Sequence, residues 1–297
     1  MKRISVVIVT YNSSFHIYDC LKSLFDNNDI GEDLEVIIVD NCSADFNEMK
    51  KKVHDIYGES VVIIANNRNG GYGQGNNVGI RNAMAPIIMI MNPDVRLVEP
   101  VFQKVCESFG ENVVMIGMRQ LNKDSKPFLS FDSTSLISPF VGIPLSKLCN
   151  RFNIYISKIM YFAGACFFVK KKAFEEVGLF DEDIFMYSEE DDIHQRLQRI
   201  KGSRFIYLSD KQYVHLHGIE KKIKKEGNEY KPYLQRFKSQ AIWKQKIGIS
   251  NEKSLAFSNS WVQFFVLYHG ILAPLSRKSN KQYLFYCGLK KELQNLH

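Results

Sequence analysis

Glu189-Glu190-Asp191-Asp192 sets four carboxylates in succession, just behind the apolar Phe185-Met186-Tyr187. Crowded carboxylates repel one another, so one can hold a raised pKa suited to taking a proton from a substrate. The apolar neighbours lower the local dielectric and push the same way. The plainer reading is a helix start decorated with acids that oppose the positive end of the helix dipole. A second candidate is Asp94, in Asn92-Pro93-Asp94, directly after the run Ile87-Ile88-Met89-Ile90-Met91. A carboxylate there suits a divalent cation, because hard cations take oxygen ligands and bridge to phosphates. Its plainer reading is a turn with a capping Asp. His215 and His217 alternate in a strand-like run and so share a face. They read either as a solvated pair or as metal or phosphate ligands near Asp94.

These side chains need elements to hold them. Val- and Ile-rich runs predict strands over 2–10, 34–39, 61–65 and 87–91, separated by helical segments that end near 24, 57 and 84. The 87–91 run is apolar throughout, as in a strand buried on both faces, and Pro93 stops it. Strand–helix alternation of this kind predicts an α/β protein with a mostly parallel central sheet flanked by helices. Thr10-Tyr11-Asn12, Asp40-Asn41 and Asn92-Pro93-Asp94 then lie at one edge of that sheet, where ligands bind in open α/β folds. A helix over 100–109 and a strand over 113–118 follow. Periodicity fades over 119–157, where Pro127, Pro139 and Pro144 suggest a long loop or insertion. A strand over 161–169, a helix over 171–177, a helix over 190–200 and two strands near 204–208 and 213–216 complete the body. Beyond 221 the chain reads as helical and basic.

Asn69-Gly70-Gly71-Tyr72-Gly73-Gln74-Gly75-Asn76-Asn77 is dense in Gly and Asn. A dinucleotide-binding fingerprint does not fit: Asn76 stands at the third glycine, and the loop follows the third strand rather than the first. No P-loop is present. Four glycines right before a helix predict close backbone approach to a ligand, against a plain turn needing positive φ.

The 297 residues, 45% hydrophobic and 24% charged, suffice for a core without disulfides or structural metal. Six cysteines lack C-x-x-C spacing, which points to a reducing compartment. With no signal peptide, the expectation is a cytoplasmic protein. Residues 201–297 carry 18 Lys+Arg against 6 Asp+Glu, so the tail prefers an anionic partner. Residues 261–275 form the longest apolar stretch, too short to span a bilayer. Trp261–Tyr268 could lie in a membrane interface at the cytoplasmic face of the inner membrane, with Lys and Arg drawn to anionic lipid. The alternatives are a helical cover on the sheet or a homodimer interface. The tail's aromatics form no nucleic-acid module, which argues against a nucleic-acid partner.

Several motifs occur in a telling order: Val6-Val7-Ile8-Val9-Thr10-Tyr11-Asn12, Val39-Asp40-Asn41-Cys42-Ser43, Asn69 through Gly79, Met91-Asn92-Pro93-Asp94, Val177-Gly178-Leu179-Phe180-Asp181-Glu182, and Phe185-Met186-Tyr187-x-Glu189-Glu190-x-Asp192. With these the chain resembles the family 2 glycosyltransferases of the GT-A fold, in particular the bacterial rhamnosyltransferase-like group. The resemblance implies a GT-A domain over about 1–220. Its nucleotide-binding half would run to about 118 and its acceptor and catalytic half from 119 to 220, with a basic, mainly helical extension over 221–297. It implies that Thr10, Tyr11 and Asn12 line the nucleotide pocket and that Asp40, helped by Asn41, binds the pyrimidine. Asn69, Gly73, Asn76, Asn77 and Asn92 would border the donor. Asp94 and His215 would meet Mg²⁺ or Mn²⁺ and the diphosphate. Glu190 matches the inverting general base, with Glu189 and Asp192 as the next candidates. The implied reaction moves a hexose or rhamnose-like deoxyhexose from a dTDP- or UDP-sugar to a saccharide or lipid-linked saccharide acceptor, as in O-antigen and other surface polysaccharides. Two departures stand out: Asn92 replaces a carboxylate of the family's metal motif, and Glu190 replaces a commoner Asp. Sugar nucleotidyl transfer, or an inactive sugar-nucleotide-binding homologue, is the alternative function.

Overall fold

A computed structural model of the chain describes residues 1–216 and 230–294. The expectations for His217 and for the first part of the basic tail lie outside these residues. The β-branched runs fold into strands, since such side chains pack well on a pleated surface. β1 (Ile4–Thr10), β2 (Leu34–Asp40), β3 (Val61–Ala65) and β4 (Ile87–Met91) are all parallel. α1 (Ser14–Asp26), α2 (Phe46–Tyr57) and α3 (Gly71–Asn82) connect them. After β5 (Val95–Leu97) come α4 (Phe102–Ser108), β6 (Val113–Leu121), β7 (Phe131–Ser133), α5 (Pro139–Phe152), β8 (Met160–Phe162), β9 (Cys166–Lys170), α6 (Lys171–Glu176), α7 (Glu189–Gln198) and β10 (Arg204–His215). The main sheet has the order β3-β2-β1-β4-β9-β6-β10-β5, while β7 and β8 pair separately. Only β9 and β5 run against their neighbours in the main sheet.

Alternation along the strands sorts the core into two layers. Ile4, Val6, Ile8, Met89 and Met91 face α1, α2 and α4, against Ile17, Leu21, Met49, Val53 and Phe102. Val7, Ile88 and Ile90 face the other way, with Ile80 of α3 and Ile193 and Leu197 of α7. Each such buried side chain stabilises the fold by about 1.5–3 kcal/mol. The β1–β2 register pairs Thr10 with Asp40, so the polar ends of these strands are level. β4 stops close by, and Asn92 continues from it.

Several local expectations are corrected. The Gly/Asn segment is helical from Gly71 onward. Residues 119–157 are not a structureless insertion: they extend β6, then form β7 and α5. Pro139 opens α5, where a missing N–H costs nothing, and Pro144 is carried inside it. The run over 161–169 is broken between β8 and β9 by Ala163-Gly164-Ala165. The two strands expected near 204–216 are one, β10, with a register shift between Leu208 and Gln212. β5, three residues long, had no sequence signal.

The C-terminal helices α8 (Lys231–Lys246), α9 (Asn251–Leu272) and α10 (Arg277–Gln294) share an apolar cluster of Phe237, Trp261, Val262, Tyr286, Leu289 and Leu293. Trp261 and Val262 therefore point inward, and the interfacial face expected of Trp261–Tyr268 is reduced to its far end, Leu267 and Tyr268. Among the described residues, no helix is long and apolar enough to cross a membrane. The unit is latched to the sheet body by Phe140 of α5 against Phe264, by Lys246 with Asp181 and Asp183, and by Ser239 Oγ donating to the Met186 carbonyl.

Candidate active site

The level ends of β1 and β2 build one corner. Thr10 Oγ1 and Ser43 Oγ donate to Asp40 Oδ2 at 2.9 and 2.6 Å, and the Ser43 N–H donates to Oδ1 at 2.8 Å. Asp40 is thus buried and organises the turn that follows it, with its remaining acceptor capacity on Oδ1. Asn12 joins the same turn: its N–H donates to Ser43 Oγ and its Oδ1 accepts from the Ala44 N–H. Asn12 and Cys42 both take positive φ, a conformation that costs about 1 kcal/mol or more and clusters at functional sites. Tyr11 stands exposed beside them.

The asparagines of the neighbouring segment form a scaffold. Asn41 Nδ2 donates to the Gly71 carbonyl, Asn66 donates to Asn41 and Gln74, and Asn69 Oδ1 accepts from the Gly71 N–H. Asn76 donates to the Tyr72 carbonyl. Asn77 exchanges hydrogen bonds with the Phe180 backbone and also donates to Glu182, tying α3 to the approach to α7. The glycines serve the same packing. A Cβ at Gly71 would overlap the Phe185 carbonyl, one at Gly75 would lie 2.8 Å from Asn41 and Val9, and one at Gly73 would lie 3.0 Å from Phe180. These three positions sit close against neighbouring protein atoms.

Asp94 and His215 come together through strand pairing. The β5–β10 register sets His215 opposite Val95, and the Leu216 N–H donates to the Asp94 carbonyl. His215 Nε2 lies 3.1 Å from Asp94 Oδ1. One oxygen and one nitrogen donor converge here, a set that fits a divalent cation with further ligands from elsewhere. Among the described residues, no three His, Cys, Asp or Glu side chains group to hold a metal. Asn92 is held by its N–H donating to the Ala165 carbonyl.

α7 starts from a constrained turn, in which Tyr187 and Ser188 both take positive φ. Its acids diverge around the helix. Glu189 is buried, and burial together with the Glu190 charge pushes its carboxyl well above the usual range. Burial raises Glu190 too, while the Arg236 charge and the backbone N–H groups of Glu190 and Gly164 restrain the rise. Asp191 Oδ2 accepts from the Ser135 N–H at 2.7 Å, which anchors the helix. Asp192 does not join the other two acids. A turn of about 200° from Glu190 carries it away from that side chain, and Arg196 holds it by two hydrogen bonds.

Glu189, Glu190, Asn92 and His215 line one cleft of about 380 Å³. Thr10, Asp40 and the asparagine scaffold lie at the sheet edge beyond it.

The family model for glycosyl transferase family 2 matches residues 5–178. The chain belongs to glycosyl transferase family 2. It is 26% identical over 202 residues to the low-salt glycan biosynthesis hexosyltransferase Agl10 of Haloferax volcanii, covering 66% of this chain and 62% of the relative. It is 25% identical over 223 residues to the poly(ribitol-phosphate) beta-N-acetylglucosaminyltransferase TarS of Staphylococcus aureus, covering 72% of this chain and 35% of TarS. The chain thus spans less than two thirds of the length of either relative. Among solved structures, the mannosyltransferase PcManGT of Pyrobaculum calidifontis, in complex with GDP-Man and Mn²⁺, superposes with a TM-score of 0.65 at 14% identity over 99% of this chain and 87% of that one. TarS residues 1–349 with UDP give 0.55 at 15% identity, over 99% and 92%. The fold is the GT-A glycosyltransferase fold.

The cleft of this family 2 chain also holds residues to which the sequence assigned no role: Tyr72, Gln120, Asp132, Tyr161, Gly164, Arg236 and Gln240. Tyr72 belongs to the Asn69–Gly79 motif, and its hydroxyl donates to the Gly164 carbonyl at 2.5 Å. The small residues of Ala163-Gly164-Ala165, inside an otherwise bulky run, were the one available signal for Gly164. Arg236 and Gln240 sit one turn apart on α8, and nothing in a basic helix marks which cation turns toward a site.

Proposed function

We propose that this chain is an inverting glycosyltransferase. It moves a hexose or deoxyhexose from a nucleotide-diphosphate sugar to a hydroxyl of a saccharide or lipid-linked saccharide during surface polysaccharide assembly. The observation that carries this reading is Glu190, a half-buried carboxylate in the same cleft as Asn92 and His215. The Asp40–Ser43 turn and Tyr11 receive the nucleoside, with the free acceptor capacity of Asp40 Oδ1 available to the base. Asp94 and His215 would hold Mg²⁺ or Mn²⁺, which when bound offsets the negative charge of the leaving diphosphate.

Glu190 takes the proton of the acceptor hydroxyl. The freed oxygen forms a bond to the anomeric carbon from the face opposite the leaving group, and the bond from that carbon to the diphosphate oxygen breaks. The electron pair leaves with the diphosphate, and the anomeric centre inverts. Glu189 is the more deeply buried of the two, and burial disfavours its charge, which leaves Glu190 as the acceptor of the proton. The names of Agl10 and TarS, a hexosyltransferase and an N-acetylglucosaminyltransferase, support sugar transfer in glycan assembly.

Thermal unfolding against a panel of GDP-, UDP- and dTDP-sugars, dTDP-rhamnose included, tests the donor with and without Mn²⁺. A true donor stabilises by RT ln(1 + [L]/Kd) and does so more strongly with metal. A panel with no binder would contradict the proposal. Contact with a membrane, where a lipid-linked acceptor resides, is assigned to the exposed Phe140, Val141, Tyr268 and Ile271, with Lys147 over the Tyr268 ring. Co-sedimentation with anionic liposomes at low salt is expected, and no pelleting at any salt would remove this part.

A further inference from the structure

The C-terminal helices are not only a cover on the sheet. α8 brings Arg236 and Gln240 into the cleft that holds Glu190, and both lie beyond the residues the family model matches. The cleft is otherwise acidic: Asp132, Glu189, Glu190 and Asp191 all line it, and Arg236 is the one guanidinium or ammonium group among its described lining residues. Its position is fixed from behind, since the guanidinium lies 5.5 Å from the Trp261 ring centre, over a side chain in the core of the helical unit. One turn further on, Ser239 Oγ donates to the Met186 carbonyl at 2.7 Å, directly ahead of the constrained Tyr187-Ser188 turn that launches α7. The helix that carries Arg236 and the helix that carries Glu190 are therefore tied together at the mouth of the cleft.

We propose that Arg236 is a positioning residue for the reaction: its fixed positive charge keeps Glu190 ionised as the base, so the helical unit completes the catalytic apparatus. This rests on the reading of Glu190 as the base. The titratable and charged groups that share the cleft with Glu190 are Glu189 and Asp191 on its own helix, Tyr72 from α3, Tyr161 from β8, Asp132 from β7, His215 from β10 and Arg236 from α8. The Asp191 charge disfavours a further negative charge at Glu190, and the tyrosines are held as neutral phenols by burial. Arg236 is the permanent charge that opposes Asp191 and the cost of burial. Without it the base stays protonated to a higher pH.

The test is the pH dependence of kcat/KM for the full chain, for Arg236→Gln and for Arg236→Lys, with Glu190→Gln run alongside. The acidic limb reports the base in the free enzyme. Arg236→Gln is expected to move that limb up by about one pH unit, a tenfold loss of rate below it, with the plateau largely kept. Arg236→Lys, which retains the charge, is expected to restore the limb. Thermal unfolding of each variant checks that α8 still docks, and the Lys variant also separates charge from packing. A uniform loss of rate, or a higher acceptor KM, with an unmoved limb would overturn the role of Arg236 while leaving Glu190 as the base. Full activity in Glu190→Gln would instead overturn the underlying assignment, whatever Arg236 does.

Discussion

The β-carbon that Gly164 lacks would overlap the Glu190 carboxylate, and the Gly164 N–H helps to hold that carboxylate in its charged form. Gly164 thus sets where the proposed base stands. Gly164→Ala is expected to displace Glu190 and to lower kcat by about 10²-fold, since a shift of roughly 1 Å in a reacting group has that effect. Donor affinity, measured by calorimetry, is expected to stay at the wild-type value. Unchanged turnover would show that the carboxylate tolerates the shift.

Asp192 is expected to act as a structural acid. Its carboxylate is 8% exposed and holds Arg196 by two hydrogen bonds, away from the cleft. Asp192→Ala leaves a largely buried guanidinium without its partner and is expected to lower unfolding free energy by about 3 kcal/mol. Urea unfolding measures this. Turnover of the folded variant is expected to match wild type, and a lost turnover at normal stability would return Asp192 to the chemistry.

His194 gives the fold a pH dependence of its own. Burial lowers its pKa from 6.5 to about 4. Above pH 6.5 the ring is neutral in both folded and unfolded chains, and its contribution to stability is fully present. As pH falls from 6.5 toward 4 the unfolded chain takes up the proton first, and stability falls by about 3 kcal/mol from this group. His194→Gln removes the titrating ring, so unfolding free energy measured across this window is expected to fall less steeply than in wild type. Parallel slopes would place the titration elsewhere.

Asp94 and His215 supply two donors, where Mg²⁺ or Mn²⁺ takes about six. Calorimetry is expected to show negligible Mn²⁺ binding to the chain alone and clear binding once a nucleoside diphosphate is present. Asp94→Asn is expected to weaken the nucleotide-dependent binding at least tenfold, on the order of 1.4 kcal/mol. Tight Mn²⁺ binding without nucleotide would require a fuller ligand set than this pair.

The legible parts of the fold and site were those coded locally. β1 to β4 announced themselves through unbroken apolar runs, and their level ends followed from parallel pairing. The four acids of Glu189–Asp192 were visible as a cluster. Which of them faces the cleft is a matter of helix phase relative to the sheet, which the sequence does not carry, and Asp192 pairs with Arg196 outside the cleft lining. α5 was hidden because Pro139 and Pro144 read as loop signals, although the first turn of a helix accepts the former readily. The start of α3 was masked by its glycines: Gly71 takes positive φ against the Phe185 backbone, and Gly75 packs on Val9 and Asn41. The link from Asp94 to His215 depends on β5, three residues whose pairing is decided by tertiary context alone. Arg236 was one cation among many in a basic tail, and only the docking of α8 selects it.

The most direct test of the account is single-turnover transfer by Glu190→Gln, with donor binding measured on the same preparation. Gln keeps the shape of the side chain and cannot take the acceptor proton. The predicted result is a rate lower by about 10²–10⁴-fold with donor affinity unchanged. Transfer at the wild-type rate would contradict it and move the base to another group in the cleft.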